Sequence, residues 1–146
     1  MDTDPPANDL ALPHFPALAF VSVIAFGALG VLVRYAVTIL FLRVFRIWSA
    51  YVTLCVNMLG SFVIGILQVT ASERKLLDVE WKYGLMTGLM GGLTTWSSYT
   101  LDTLLLFEMR TTGAWVFAFL NLFVAPAFGV LLSFSTVRLF RLIFAG

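Results

Sequence analysis

The chain has 146 residues, of which 60% are hydrophobic and only 12% charged, and its formal net charge at pH 7 is +1. A soluble domain of this size cannot cover so much apolar surface. The composition therefore predicts an all-α integral membrane protein with a lipid bilayer as its surroundings, and we expect no nucleic acid among its partners.

Residues 1–16 form a short polar tail ahead of the first apolar segment. Its prolines and acidic residues are typical of unstructured chain, so we expect a flexible N-terminal tail. The tail lacks the basic leader of a signal peptide, and the apolar run behind it is too long for one. The rest of the chain, residues 17–146, is expected to be a single four-span transmembrane domain.

Four apolar stretches follow the tail, and each is long enough to cross a bilayer. A helix of about 24 residues is about 36 Å long, whereas the hydrocarbon core is roughly 30 Å thick. The loops between the stretches are too short to house a soluble catalytic site. We find no nucleophile–base pair, metal-ligand cluster or phosphate loop, and we expect no enzyme. The predicted spans are 17–42, 47–70, 83–107 and 113–137.

The basic residues outside the spans are divided almost evenly between the two sides of the membrane. Five lie on the side of the N-terminus, namely Arg74, Lys75, Lys82, Arg138 and Arg141, and three lie opposite, namely Arg43, Arg46 and Arg110. This is a weak bias under the positive-inside rule. It fits a modest preference for an inward N-terminus, and it also fits insertion in both orientations.

The first two spans carry polar residues that need a reason in lipid. Arg34 lies well inside the first span. It either extends to an interface or faces a water-filled vestibule, where its charge attracts anions. In the second span, Thr53, Asn57 and Ser61 follow one another at intervals of four residues and share a helix face. This stripe either bonds a neighbouring helix or lines a pore.

In the third span, Gly84, Gly88 and Gly92 recur every four residues. Small residues at this spacing let two membrane helices pack backbone to backbone. We therefore expect two chains to pack antiparallel through this glycine face.

The segment "GGLTTWSS" then weakens the third helix near Gly91–Thr95. Two adjacent glycines cost about 1 kcal/mol each relative to alanine, and the four hydroxyl side chains can bond freed backbone groups. A break at membrane depth is tolerated only where it is buried in protein or lines a cavity. The first half-helix then exposes carbonyls that suit a hard cation, and the second exposes N–H groups that suit an anion.

Three motifs together carry a family resemblance: "GxxxRY" in the first span, "TLxVNxxGSFxxG" in the second and "GxxGGLTTxSSxTxD" in the third. The chain resembles the Fluc or CrcB family of small bacterial fluoride channels from about residue 22 to about residue 137. The resemblance implies a dual-topology homodimer in the cell membrane, with two pores that let fluoride leave the cell. It also implies one structural, non-transported Na⁺ at the dimer centre, bound by the backbone carbonyls of Gly91 and Thr94 of both chains.

Fluoride is small and strongly hydrated, so a pore must replace its water with hydrogen-bond donors. Amide and hydroxyl groups can donate, and aromatic ring edges are partially positive. The family uses two phenylalanines three residues apart, and this chain has Trp96 and Tyr99 there, each with an added donor. The candidate pore residues are Thr53, Asn57, Trp96, Ser97, Ser98 and Tyr99, with Arg34 assigned to the vestibule.

The chain departs from the family at further positions. Asp102 stands where a glutamate is usual, and in the fourth span the hydroxyl track reads Phe117, Asn121 and Ala125. One alternative is therefore half of a heterodimeric channel formed with a paralogue. A small dual-topology multidrug exporter is a second, although it wants a glutamate in the first span, which has Arg34 and no acid. A purely structural membrane subunit is a third, and it predicts neither helix break nor polar stripe.

Overall fold

The computed structural model describes residues 16–145, and all regular structure in that part of the chain is helical. The predicted tail lies almost wholly outside the described residues. The segment 79–93 is α-helical at Val79–Tyr83, π-helical at Gly84–Leu89 and α-helical again at Met90–Leu93, and it is counted as one helix. The helices are α1 Ala17–Arg43, α2 Ser49–Glu73, α3 79–93, α4 Trp96–Glu108 and α5 Thr112–Ile143.

Three of these helices, α1, α2 and α5, are long and apolar enough to cross a membrane. The third predicted span, 83–107, is divided between α3 and α4. Large apolar side chains cover much of the outer surface, as Leu32 (64% exposed) and Val130 (70% exposed) illustrate. Such a surface is stable where lipid covers it. The prediction of an all-α membrane protein is confirmed.

Helix α1 packs along α3 through the glycine face predicted for the third span. A Cβ atom on Gly88 would lie 2.8 Å from the Val23 carbonyl oxygen and 3.1 Å from the Gly27 nitrogen. One on Gly92 would overlap the Gly27 carbonyl. The prediction that a second chain packs on this face is therefore wrong. Gly27 in α1 lets the backbone of the same chain approach and fill it.

Helix α2 packs against α5, again with little space between the backbones. A Cβ on Gly65 would lie 2.8 Å from the Ser133 carbonyl oxygen, and the Ser133 hydroxyl donates to the Ser61 carbonyl at 2.7 Å. At the C-terminal ends of both helices, Arg141 pairs with Glu73 at 2.6 Å. The ends of α2 and α5 therefore lie together at one surface of the protein.

Helix α5 is interrupted by a π-helical segment, Leu120–Val124, directly before Pro126. Proline has no N–H group and cannot donate to the carbonyl four residues earlier, so the regular ladder is disturbed there. A π turn takes up one more residue than an α turn and rotates the following face of the helix. Asn121 lies within this segment and is buried in the seam between α4 and α5, where its Nδ2 donates to the Thr103 hydroxyl oxygen.

Candidate functional site

Two extended residues separate α3 from α4. Helix α3 ends at Leu93, and Thr94 (φ −78°, ψ 157°) and Thr95 (φ −152°, ψ 125°) have extended backbones. Helix α4 begins at Trp96, and the Thr95 hydroxyl accepts from the Ser98 N–H at 3.2 Å. A threonine in this position is a favourable N-cap, because it satisfies one of the free donors in the first turn.

Asn57 of α2 bonds both backbone groups of Thr95. Its Oδ1 accepts from the Thr95 N–H at 2.9 Å, and its Nδ2 donates to the Thr95 carbonyl at 3.2 Å. In a continuous helix the Thr95 N–H would instead donate to the Gly91 carbonyl. The Gly91 carbonyl is thus deprived of its helical donor. Asn57 Nδ2 carries two hydrogens, and one of them remains for another acceptor.

Arg34 reaches the C-terminal end of α3 from α1. Its Nε donates to the Gly92 carbonyl at 3.2 Å. Carbonyls at a helix C-terminus carry partial negative charge, so a guanidinium group stabilises this end. The sequence left open whether Arg34 extends to an interface or faces a vestibule. In the structure it is partly buried at the C-terminal end of α3, where it lines a cavity together with Asp102 and several hydroxyl side chains.

This cavity, the Arg34–Asp102 cavity, has a volume of about 280 Å³. The Asp102 carboxylate, only 7% exposed, accepts from the Ser49 hydroxyl at 2.7 Å and from the Thr53 hydroxyl at 2.6 Å. Thr53 therefore points into this cavity and away from the other members of its predicted stripe. Ser98 lines the same cavity. The cavity combines one positive side chain, one negative side chain and several hydroxyl groups.

A second cavity, the Gly91 cavity, has a volume of about 410 Å³. It brings together Asn57, Gly91, Thr94 and Trp96. A Cβ on Gly91 would meet no atom of the chain within 4 Å, so the Gly91 backbone faces open space. Among residues 16–145, no group of three or more histidine, cysteine or acidic side chains could hold a metal ion. The oxygen atoms available for a cation at this break are carbonyl and hydroxyl oxygens.

A third cavity, the Tyr99 cavity, has a volume of about 220 Å³ and shares Asn57, Ser61 and Trp96 with the Gly91 cavity. The Trp96 ring is 70% exposed and stacks on the Tyr99 ring with 5.1 Å between centroids. The Tyr99 hydroxyl donates to the Asn121 carbonyl. The expectation that this hydroxyl is an extra donor for an ion is therefore wrong, because it is already bonded within the chain.

The structure thus brings Asn57, Trp96 and Tyr99 together at one cavity. Ser97 is exposed, and its hydroxyl lies 3.3 Å from the Thr95 hydroxyl, outside the three cavities. Ser49, which shares Asp102 with Thr53, was not among the predicted site residues. The spacing of four residues between Ser49 and Thr53 was a signal for it, because such residues share a helix face.

Residues 16–145 contain three apolar helices long enough to cross a bilayer, and the chain is a multi-pass membrane protein. The Gly91 cavity and the Arg34–Asp102 cavity are both lined by Thr95, where the backbone leaves the helical conformation. The family model for "CrcB-like protein, Camphor Resistance (CrcB)" matches residues 21–137, and the chain belongs to this family. The resemblance drawn from the three motifs is confirmed.

Several relatives are named fluoride-specific ion channel FluC. The chain is 34% identical to the one from Saccharophagus degradans over 108 residues, which is 74% of this chain and 78% of the relative. It is 35% identical to the one from Acidithiobacillus ferrooxidans over 126 residues, which is 84% of this chain and 99% of the relative. It is 39% identical to the one from Agrobacterium fabrum over 87 residues, which is 60% of this chain and 70% of the relative.

Proposed function

We propose that this protein is a fluoride-selective channel of the cell membrane, which lets fluoride leave the cell down its electrochemical gradient and so lowers fluoride toxicity. The observation that carries this proposal is the similarity to the FluC channel of Acidithiobacillus ferrooxidans, which extends over 99% of that relative. The polar cavities at the helix break support it.

The proposed fluoride path runs along the face shared by Asn57, Trp96 and Tyr99. The remaining Asn57 N–H and the Trp96 indole N–H are donors that can replace water around a small anion. The positive ring edges of Trp96 and Tyr99 supplement them. Arg34 raises the local anion concentration at the Arg34–Asp102 cavity. The Asp102 charge opposes this effect, and two hydroxyl donors partly offset the charge.

The proposed assembly is an antiparallel, dual-topology homodimer in which α3 and α4 form one broken third crossing. The weak charge bias supports two orientations in the membrane. The second chain is placed on the open side of Gly91 and Trp96, because the glycine face of α3 is filled by α1. A heterodimer with a paralogue uses the same face and is the alternative. A multidrug exporter is less well supported, since Ala17–Arg43 contains no acidic residue.

A structural Na⁺ at the dimer centre is part of the proposal. The Gly91 and Thr94 backbones lie at one cavity, and the Gly91 carbonyl has lost its helical donor to Asn57. Carbonyl oxygens suit a hard cation, and two from each chain give four ligands. When bound, the ion neutralises carbonyl ends of the two broken helices. The residues present therefore fit such a group.

Removal of Na⁺ is expected to abolish fluoride flux, because the carbonyls then repel one another across the dimer. The measurement is fluoride efflux from liposomes in Na⁺ and in a large organic cation. The Thr94→Ser variant is expected to show the same dependence on Na⁺ as the wild type. It keeps the backbone carbonyl, and its hydroxyl can still donate to the Met90 carbonyl, as the Thr94 hydroxyl does at 2.7 Å. Undiminished flux in carefully Na⁺-free buffer would contradict the ion's role.

A growth experiment tests the function in cells. A bacterial strain that lacks its own fluoride channel, and therefore stops growing in fluoride, is expected to grow again when it produces this protein. The Trp96→Ile variant is the comparison and is expected to restore growth poorly. It keeps an apolar side chain but removes the ring edge and the N–H donor. Failure of the wild-type protein to restore growth, despite its insertion in the membrane, would contradict the proposed function.

A further inference from the structure

Three hydrogen bonds form a closed ring in the seam between α4 and α5. The Tyr99 hydroxyl donates to the Asn121 carbonyl, and Asn121 Nδ2 donates to the Thr103 hydroxyl oxygen at 2.8 Å. The Thr103 hydroxyl donates in turn to the Tyr99 carbonyl at 2.8 Å. All three residues are buried, and Asn121 is only 2% exposed. Each residue is therefore bonded to the other two out of contact with water.

The direction of each bond is fixed. Thr103 has one hydroxyl hydrogen and gives it to the Tyr99 carbonyl, so its oxygen must accept from Asn121. This assigns Nδ2 of Asn121 to Thr103 and leaves Asn121 Oδ1 buried without a partner. Asn121 cannot turn its amide over without losing the bond to Thr103. The Asn121 backbone, which accepts the Tyr99 hydroxyl, is held in place by its own side chain.

The ring of Tyr99 stands where this network meets the proposed fluoride path. One face of the ring stacks on Trp96, and the ring lines the Tyr99 cavity beside Asn57. The hydroxyl at its far end is bonded to Asn121. The ring can swing away from the cavity only if this bond breaks.

We propose that fluoride passes the Tyr99 cavity only when the Tyr99 ring, whose edge faces the ion, swings aside, and that the Tyr99–Asn121 hydrogen bond is a latch that slows this movement. Thr103 is a positioning residue that sets this bond through Asn121. This inference rests on the proposed channel function. Tyr99 faces the ion, whereas Asn121 and Thr103 act only through Tyr99. Breaking a hydrogen bond of ordinary net strength slows a step about two- to tenfold. That is the factor by which removing the latch should raise the rate.

The test is fluoride efflux from liposomes containing the purified full chain. Tyr99→Phe removes only the hydroxyl and is expected to raise the efflux rate by about two- to tenfold. Thr103→Val removes the acceptor for Asn121 and is expected to raise the efflux rate as well. Thr103→Ser keeps the hydroxyl and is expected to conduct at the wild-type rate. The matched control is Tyr51→Phe, which removes a hydroxyl from a ring stacked on Phe117, outside this network.

The outcomes separate the latch from the channel. A rise in both Tyr99→Phe and Thr103→Val with no change in Tyr51→Phe supports the latch, because Thr103→Val leaves the Tyr99 side chain itself unchanged. A folded Tyr99→Phe chain that conducts at or below the wild-type rate overturns it, even if Thr103→Val fails to fold. A wild-type chain that conducts no fluoride would instead overturn the proposed channel function itself.

Discussion

Replacing Gly88 with leucine is expected to destroy the folded protein. The new side chain would enter the contact between α3 and α1, where a Cβ lies 2.8 Å from the Val23 carbonyl oxygen and 3.1 Å from the Gly27 nitrogen. Overpacking a core typically costs about 1–3 kcal/mol, and the cost is larger where the neighbours are backbone atoms that cannot change rotamer. Gel filtration in detergent and thermal unfolding measure the loss.

Gly91→Leu is the matched comparison, three residues further along the same helix. A Cβ on Gly91 meets no atom of its own chain within 4 Å, so this variant is expected to fold. Under the proposed assembly it loses the dimer instead, because Gly91 faces the second chain. A Gly88→Leu chain that stays folded and merely becomes monomeric would contradict the packing of α1 on α3 and return the glycine face to the dimer interface.

Asn57→Asp is expected to reduce fluoride flux by at least about tenfold. The carboxylate has nearly the same shape and still accepts from the Thr95 N–H, but it cannot donate to the Thr95 carbonyl or to an anion. It also places a negative charge beside the proposed path. A lost donor to a charged group is worth about 1.5–3 kcal/mol, which corresponds to a factor of ten or more in rate.

The measurement is again fluoride efflux from liposomes containing the purified chain. Gel filtration of the Asn57→Asp protein separates a lost path from a lost assembly. Normal fluoride flux through a folded Asn57→Asp dimer would remove Asn57 from the path. Loss of flux together with loss of folding would show that Asn57 matters mainly for holding the helix break.

Much of the fold follows from local properties of the sequence. Apolar stretches of crossing length predict α1, α2 and α5, because helix length and hydrocarbon thickness are both fixed. The motif around Gly91 and Gly92 likewise indicates where regular helix is unfavourable. These features depend on neighbours along the chain, so one sequence is sufficient to recognise them.

The partners of each face could not be predicted in the same way. The spacing of Gly84, Gly88 and Gly92 indicates that another backbone comes close, but not that this backbone is α1 of the same chain. The polar residues predicted to share one face of α2 give a second example. Thr53 donates to Asp102 and lies in a different cavity from Asn57. Such pairings depend on how whole helices rotate against one another, which a helical period does not contain.

Tyr99 is the clearest case of a contact that could not be predicted from the sequence. Its hydroxyl was expected to face an ion, and it instead donates to the Asn121 carbonyl. Asn121 lies in the π-helical segment Leu120–Val124, which ends two residues before Pro126. The proline was visible in the sequence. The π-helical segment ahead of it was not, because several local adjustments can accommodate a proline in a membrane helix.

Efflux from liposomes that contain only the purified wild-type protein tests whether this chain alone forms a fluoride-selective channel. Liposomes are loaded with fluoride or with chloride, and release is followed with ion-selective electrodes after an ionophore relieves the charge imbalance. Rapid release of fluoride and retention of chloride are expected. Retention of fluoride by liposomes that contain folded, dimeric protein would contradict this expectation.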